Sequence, residues 1–174
     1  MERLKNKVAI VTGGNSGIGK GIAERFLQEG AKVVIFGRNQ KTLDQTKKEL
    51  GGNLLTVCGD VTNTEDLKNL YKTTVSHFGK IDTLVVNSGV GERLHIKDVS
   101  EENFDYQANI NYRGAYFTVK YALESLNPKA SIIFIASCAA DITIKRHSVY
   151  ASTKAAIRKL AKNLSYDLSE DLIR

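Results

Sequence analysis

The sequence predicts an α/β fold in which helices cover both faces of a doubly wound parallel sheet. Short apolar runs alternate with helical patterns along the chain, and no linker or internal boundary interrupts them. Unbroken apolar runs are typical of strands in parallel sheets, because the crossover helices bury both faces. Right-handed crossovers then give the strand order 3-2-1-4-5. We therefore expect one domain over residues 1–174.

The individual elements follow from two periodicities. Apolar runs of four to six residues predict strands at residues 8–12, 32–36, 54–58, 83–86 and 131–136. Apolar residues at helical spacing predict helices at residues 17–28, 40–50, 64–78, 109–126 and 148–168. Glycine and proline are common where helices end. They follow the predicted helices at Gly30, Gly51, Gly52, Gly79 and the Asn127-Pro128 pair.

The composition limits the class of protein. Hydrophobic residues make up 42% and charged residues 25% of the chain, which is typical of a globular domain with one substantial core. The net charge of +6 is scattered over helix patterns, so we expect no nucleic-acid partner. No apolar stretch approaches the ~20 residues that cross a bilayer, so we expect no membrane partner. Cys58 and Cys138 suggest reduced thiols in the core or beside a site, and we expect a cytoplasmic location without an export signal.

A glycine-rich turn, TGGNSGIG at residues 12–19, follows the first predicted strand and opens the first predicted helix. Glycines let the backbone approach an anion, and a helix N-terminus favours negative charge, so this unit predicts a phosphate site. Its GxxxGxG spacing differs from the common G-x-G-x-x-G fingerprint, and alone it is compatible with a simple tight turn. The strand before it and the helix after it favour the phosphate site.

In doubly wound sheets that bind a dinucleotide, the residue type at the end of the second strand indicates which dinucleotide is preferred. A carboxylate there would bind the adenosine ribose hydroxyls and repel a 2′-phosphate. The sequence instead has Gly37 followed by Arg38, whose guanidinium can pair with a phosphate. A solvent-exposed arginine without a ligand is the alternative, but the position favours NADP(H), with NAD(H) as the second choice.

Tyr150 and Lys154 lie four residues apart and share one face of the last predicted helix. A neighbouring ammonium favours the ionised phenolate, which makes the tyrosine a candidate general acid/base. Tyr-x-x-x-Lys alone is common and is compatible with an exposed helix of no special function. Ligands of doubly wound sheets bind beyond the carboxyl ends of the strands. The positions that fall there are the glycine turn, Arg38, Asp60, Asn87 and Ser137.

These residues resemble the motifs of the short-chain dehydrogenase/reductase family over essentially the whole chain. Its TGxxxGxG is matched by Thr12, Gly13, Gly17 and Gly19, and its Ser, Tyr and Lys by Ser137, Tyr150 and Lys154. Its acidic residue after the third strand is matched by Asp60, and its helix asparagine by Asn111, with Gly114 three residues on. Its Asn-Asn-Ala-Gly is similar to Val86-Asn87-Ser88-Gly89, where Val86 and Ser88 depart from the pattern.

The resemblance implies a Rossmann-type fold and hydride transfer between a nicotinamide and a carbonyl or secondary alcohol. Tyr150 would give or take the hydroxyl proton, Lys154 would favour the tyrosinate and hold the nicotinamide ribose, and Ser137 would orient the substrate oxygen. Asn111 would help to hold a water in the proton path, with a structural amide as the alternative. The implied cofactor contacts are Thr12, Gly13, Asn15, Ser16, Gly17, Ile18, Gly19, Arg38, Asp60, Val61, Asn87, Gly89, Tyr150 and Lys154, and no metal ligand is expected.

The substrate and the class of function are less closely defined. The chain resembles 3-oxoacyl-acyl-carrier-protein reductases and sugar or polyol dehydrogenases about equally. The residues expected to edge the pocket are Val90, Gly91, Cys138 to Asp141 and His147. A nucleotide-binding regulatory protein without turnover is the alternative, but a binding role alone does not require Ser137, Tyr150 and Lys154 together.

Two further expectations concern assembly and length. Ala151, Ala155, Ala156, Ala161, Ile157, Leu160 and Leu164 on the last predicted helix, together with residues 111–121, suggest self-association, and the resemblance implies a homodimer or homotetramer. The aromatic residues at near-helical spacing are expected to be packing or interface groups; they are Tyr106, Tyr112, Tyr116, Phe117 and Tyr121. Residues 132–135 are apolar without charge or proline, which is typical of a strand paired on both sides. We therefore expect that this sequence is part of a longer protein and that strands 6 and 7 lie in the missing part. Whether the chain continues beyond Arg174 stays open.

Overall fold

The computed structural model describes residues 2–174 and contains a parallel five-stranded sheet in the predicted order, 3-2-1-4-5. The strands are β1 (Val8–Thr12), β2 (Lys32–Gly37), β3 (Leu54–Cys58), β4 (Ile81–Val86) and β5 (Leu126–Phe134). The helices are α1 (Gly17–Gln28), α2 (Gln40–Leu50), α3 (Thr64–Phe78), α4 (Glu101–Ala108), α5 (Ala115–Ala122) and α6 (Ser148–Asp167). Between residues 2 and 174, no helix has both the length and the apolar character needed to span a bilayer.

The hydrophobic core has two parts, one on each face of the sheet. Along β2, Val34 and Phe36 enter one part and Val33 and Ile35 the other, because successive side chains of a strand alternate in direction. Helices α3, α5 and α6 contribute to the first part, and α1 and α2 to the second. This double burial explains the apolar runs, and the parallel strands bring all their carboxyl ends to one edge. The Rossmann-type prediction is confirmed.

Three strands differ from the prediction in their bounds. β2 ends at Gly37 and not at residue 36. β4 begins at Ile81 and not at residue 83, and β5 covers Leu126–Phe134 and not residues 131–136. Ile81 pairs with Leu126 and Thr83 with Ser131, so the residues between Leu126 and Ser131 form a bulge in the ladder. The predicted break at Asn127-Pro128 is thus a bulge inside β5, where a proline is tolerated because its missing N–H is not required.

The helical run before β5 also begins earlier than predicted. The predicted helix starts at residue 109, whereas the structure is helical from Glu101, with a π-helical turn (Asn109–Gly114) between α4 and α5 and a 3₁₀ turn (Leu123–Ser125) after α5. Ser100 caps α4 by accepting a hydrogen bond from the Asn103 N–H at 3.2 Å. Only Gln107 of α4 is buried, so the apolar periodicity that reveals most helices is missing there.

The outer edge of β5 is paired at one position. The Ile132 N–H donates to the Arg174 carbonyl at 2.6 Å, and the Arg174 N–H donates to the Ala130 carbonyl at 3.1 Å. The Arg174 side chain also donates from Nε to the Ser131 hydroxyl at 3.1 Å. The last residue therefore lies alongside β5 as a short extension of the sheet.

Candidate functional site

Two adjoining cavities lie at the carboxyl edge of the sheet. One, of about 240 Å³, lies beside the ends of β2 and β3, and the other, of about 480 Å³, extends towards α6. Both are lined by Gly13, Ser16, Ser88, Gly89 and Val90, so they form one continuous depression, called here the trough. The predicted site residues that line it are Gly13, Asn15, Ser16, Gly17, Ile18, Arg38, Asp60, Val61, Asn87, Gly89, Tyr150 and Lys154.

The glycine turn forms the floor of the trough between β1 and α1. Gly13 and Gly17 have φ angles of 64° and 49°, which favour glycine. A Cβ on Gly19 would lie 2.3 Å from the Gly13 carbonyl oxygen and 2.6 Å from Asn87 Nδ2. Close packing therefore excludes a side chain at Gly19, whereas the space around Gly17 is open and its φ angle alone favours glycine. The turn leaves backbone exposed beside the N-terminus of α1. This is a cradle that fits a phosphate group.

Thr12 and Asn87 tie the turn to the end of β4. The Thr12 hydroxyl accepts hydrogen bonds from the backbone N–H groups of Asn87 at 3.0 Å and Ser88 at 3.1 Å. In return, Asn87 Nδ2 donates to the Thr12 carbonyl at 2.9 Å. Thr12 and Gly19 thus lie beneath the trough and hold its floor, although they do not line it.

Gly37 is required by close packing at the end of β2. A Cβ there would lie 2.4 Å from the Asn15 side-chain oxygen. Asn15 is itself held in place, because its Nδ2 donates to the Thr42 hydroxyl at 2.7 Å. A side chain at position 37 would therefore have to displace the Asn15 side chain, which is a steric reason for the missing carboxylate at this position.

Arg38 stands at the outer end of the trough between two partners. Its Nη1 lies 3.7 Å from Asp60 Oδ2, and its Nη2 donates to the Tyr106 hydroxyl at 3.4 Å. The Tyr106 hydrogen bond raises the pKa of Arg38 above its ordinary value, and the Asp60 charge adds to this. Sequence reasoning missed Tyr106 as a site residue, since it is 68 positions from Arg38 and carries no motif.

Tyr150 and Lys154 form the wall of the trough on the α6 side. Lys154 is only 6% exposed, and its Nζ lies 5.8 Å from the centre of the Tyr150 ring and donates to the Ile135 carbonyl at 2.8 Å. Burial lowers the pKa of Lys154 below its ordinary value. The loop after β4 also packs against the ring, since a Cβ on Gly91 would lie 2.7 Å from Tyr150 Cδ2. The tyrosine is thus fixed between the loop after β4 and its own helix.

Ser137 follows β5 and caps the 3₁₀ turn Cys138–Ala140. Its hydroxyl oxygen accepts a hydrogen bond from the Ala139 N–H at 3.2 Å, which leaves its O–H proton available to donate. Ala136, just before it, lines the trough beside Tyr150. Ser137 therefore belongs to the same region of the molecule as Tyr150 and Lys154.

Asn111 lies in the π-helical turn beneath the trough and is 1% exposed. Its Oδ1 accepts from the Val90 N–H at 2.8 Å, and its Nδ2 donates to the Val90 carbonyl at 2.8 Å and to the Thr153 hydroxyl at 3.0 Å. Thr153 in turn donates to the Tyr150 carbonyl at 2.7 Å. The amide therefore connects the loop after β4 to the helix of Tyr150, as the structural alternative requires.

A third cavity, of about 520 Å³, adjoins the trough and shares His147 with it. It is called here the outer cavity. Its aliphatic lining residues include Leu94, Ile96, Ile142 and Ile144. Of the segment Cys138 to Asp141, which is predicted to edge the substrate pocket, the residues Ala139, Ala140 and Asp141 line this cavity and Cys138 does not. His147 precedes α6, and its ring meets the Tyr150 ring edge-on, with the ring centres 5.6 Å apart.

The two cysteines are outside the core. Cys58 and Cys138 are both exposed and unpaired by any disulfide. Their apolar flanks allowed a core position, but Cys58 is the last residue of β3 and Cys138 begins a short 3₁₀ turn, so neither side chain is covered. The core alternative is therefore wrong for both thiols.

A model of the short chain dehydrogenase family matches residues 7–174 of this chain. The chain belongs to this family. It is 37% identical over 176 residues to oxidoreductase asL5 of Sarocladium schorii, covering 100% of this chain and 71% of that protein. It is 33% identical over 177 residues to 11-beta-hydroxysteroid dehydrogenase-like 2 of Arabidopsis thaliana, covering 98% of this chain and 58% of that protein.

A solved structure of the family agrees with the fold. The 3-ketoacyl-(acyl-carrier-protein) reductase from Brucella melitensis, complexed with NADH, superposes with a TM-score of 0.93 at 32% identity. The match covers 98% of this chain and 74% of that one. The short chain dehydrogenase family and its oxidoreductase-named members place the chain among enzymes acting on CH–OH and C=O groups and using a nicotinamide cofactor.

Proposed function

We propose that the protein is an NADP(H)-dependent oxidoreductase that interconverts a carbonyl and a secondary alcohol, with Tyr150 as the general acid/base. The observation that carries the proposal is the arrangement of the trough. Tyr150 and the buried Lys154 line one part of it, and Arg38 lines the other. A small-molecule substrate would enter beside Tyr150, where the outer cavity meets the trough at His147.

The residues of the trough fit a dinucleotide. The glycine turn offers a cradle without side chains for the phosphates, and Asp60 and Val61 line the end nearest β3. Asn87, Gly89 and Lys154 line the end nearest α6, where the nicotinamide ribose would be held. When bound, the nicotinamide supplies or accepts the hydride. Arg38 supports a preference for NADP(H), since its guanidinium can pair with a 2′-phosphate and Gly37 offers no competing carboxylate.

The side chains around Tyr150 handle the proton. In the reducing direction the Tyr150 hydroxyl gives its proton to the substrate oxygen, and in the oxidising direction it takes that proton back. The Lys154 ammonium stabilises the tyrosinate that forms, because a nearby positive charge favours the ionised phenol. Ser137 donates its remaining O–H to the substrate oxygen and orients it. Asn111 connects Val90, in the loop after β4, to α6 and so holds both in fixed positions beside the substrate oxygen.

The proposal is tested by mixing purified protein with NADPH and a panel of ketones and keto esters, and following absorbance at 340 nm. We expect NADPH oxidation with at least one carbonyl compound. Tyr150→Phe should lower kcat by roughly 10²- to 10⁴-fold, the usual contribution of a general acid/base, with little change in NADPH affinity. Tyr166→Phe, which makes the same chemical change at an exposed position, is the control. A Tyr150→Phe variant that keeps most of its activity would refute the proposed mechanism.

A further inference from the structure

We infer that Tyr106 is a positioning residue for the 2′-phosphate of the cofactor, acting through Arg38. The inference rests on the proposed NADP(H) preference and deepens it, because it identifies the group that directs the Arg38 guanidinium at the trough. Tyr106 lies on α4, outside the strands and turns that form the rest of the phosphate site.

The first argument is that Arg38 needs support to be selective. Its side chain is 53% exposed, and an arginine with that freedom loses much side-chain entropy when it is immobilised on a ligand. Tyr106 limits this freedom in two ways. Its hydroxyl accepts from Nη2 at 3.4 Å, and its ring centre lies 6.0 Å from the Arg38 guanidinium carbon. Part of the ordering is therefore present before the phosphate arrives.

The second argument concerns charge. Asp60 also faces Arg38, but at 3.7 Å, and its other oxygen already accepts from the Thr62 N–H and hydroxyl at 2.8 Å each. Tyr106 holds the guanidinium with a neutral group and so leaves its positive charge available to an anion. A guanidinium has five N–H donors, and a tyrosine hydroxyl that accepts one of them still has its own proton to donate to a phosphate oxygen.

The third argument is that α4 is itself anchored to the trough. Gln107, next to Tyr106, is buried, and its Oε1 accepts from the Glu92 N–H at 3.3 Å. Its Nε2 donates to Asn103 Oδ1 at 2.8 Å, and Asn103 Nδ2 donates to Glu92 Oε2 at 2.7 Å. Tyr106 is thus presented to Arg38 from a helix that the loop after β4 holds in place.

The test compares two ligands that differ by a single 2′-phosphate, 2′,5′-ADP and 5′-AMP, with both dissociation constants measured by isothermal titration calorimetry. We expect the wild type to prefer 2′,5′-ADP and Arg38→Leu to lose most of that preference. Tyr106→Phe should reduce the preference by roughly three- to tenfold, the worth of one hydrogen bond, through weaker binding of 2′,5′-ADP alone. Tyr166→Phe is the control, because it makes the same chemical change at an exposed residue outside the trough.

The remaining outcomes separate this inference from the proposed function. An unchanged preference in Tyr106→Phe, with the preference lost in Arg38→Leu, overturns the role of Tyr106 and leaves the NADP(H) preference standing. Tighter binding of 2′,5′-ADP by Tyr106→Phe also overturns it, since Tyr106 would then compete with the phosphate for Arg38. Equal weakening of both ligands means a purely structural role. Equal affinity of the wild type for the two ligands refutes the NADP(H) preference itself.

Discussion

At the scale of single residues, Lys154 combines a functional position with a cost in stability. The side chain is almost fully buried, and desolvation lowers its pKa, while the Ile135 carbonyl provides the described hydrogen bond to its ammonium group. A charged group buried with one neutral acceptor destabilises the folded state relative to an apolar side chain of similar length. We interpret the burial of Lys154 as a loss of stability that is tolerated because it keeps a positive charge beside Tyr150.

The destabilisation caused by burying the Lys154 ammonium depends on pH in a defined direction. Because the folded-state pKa of Lys154 lies below the ordinary 10.5, the unfolded chain binds more protons between these two values. The contribution of Lys154 to stability is therefore most favourable above pH 10.5 and is lost as the pH falls through the folded-state pKa. We expect the free energy of unfolding of Lys154→Met, measured in urea without cofactor, to lack this rise with pH.

The exposed Lys159→Met is the control for this measurement and should follow the wild type across the whole range. The Lys154→Met variant should also lose both reductase activity and cofactor affinity, since its side chain can neither stabilise a tyrosinate nor donate a hydrogen bond. Parallel stability curves for the wild type and Lys154→Met would contradict a lowered pKa at this position.

At the scale of elements, the parts that could be predicted are those whose own sequence carries the signal. Residues 8–12 and the glycine turn indicate a buried strand and a phosphate cradle, because burial on both faces and close backbone packing restrict the residue types locally. The segment EENFDYQA of α4 carries no such restriction, since only Gln107 is buried. The contact of Tyr106 with Arg38 could not be predicted for a related reason: it depends on where α4 packs, which no local pattern records.

The π-helical turn at Asn109–Gly114 is the element whose role most needs a test. Asn111→Ala removes the clamp between Val90 and Thr153 and leaves the Val90 N–H and C=O without their partner. We expect a loss of about 1–3 kcal/mol in the free energy of unfolding. We also expect a lower kcat, because Tyr150 and the loop after β4 are no longer held in fixed relative positions. The exposed Asn163→Ala on α6 serves as the control. A fall in kcat with unchanged stability would favour the water-holding role implied by the family resemblance.

At the scale of the whole molecule, the two segments that the sequence suggested for self-association differ in which apolar side chains they expose. Ile157 and Leu160 of α6 are buried against the sheet, and the half-buried Leu164 packs on the same core, so they are not available to a partner. Exposed apolar side chains occur along the helical run from α4 to the turn after α5, at Phe104, Tyr112, Tyr116 and Leu123, and the two tyrosines belong to the suggested segment 111–121. Their spacings of eight, four and seven residues place them on one side of that run.

We expect this stripe to pair with the same stripe of a second copy, because tyrosine and phenylalanine are enriched in protein interfaces and a twofold contact uses one surface twice. Light scattering after gel filtration at micromolar concentration should give at least twice the 19.2 kDa mass of one chain. The double substitution Tyr112→Lys with Tyr116→Lys should shift the mass to that of one chain, since it places two charges at the centre of the contact. Val75→Lys, a change at an exposed apolar residue of α3, should leave the oligomer intact. A wild type that elutes as a single chain would remove the basis for self-association, and an oligomer that survives the double substitution would move the contact to another surface.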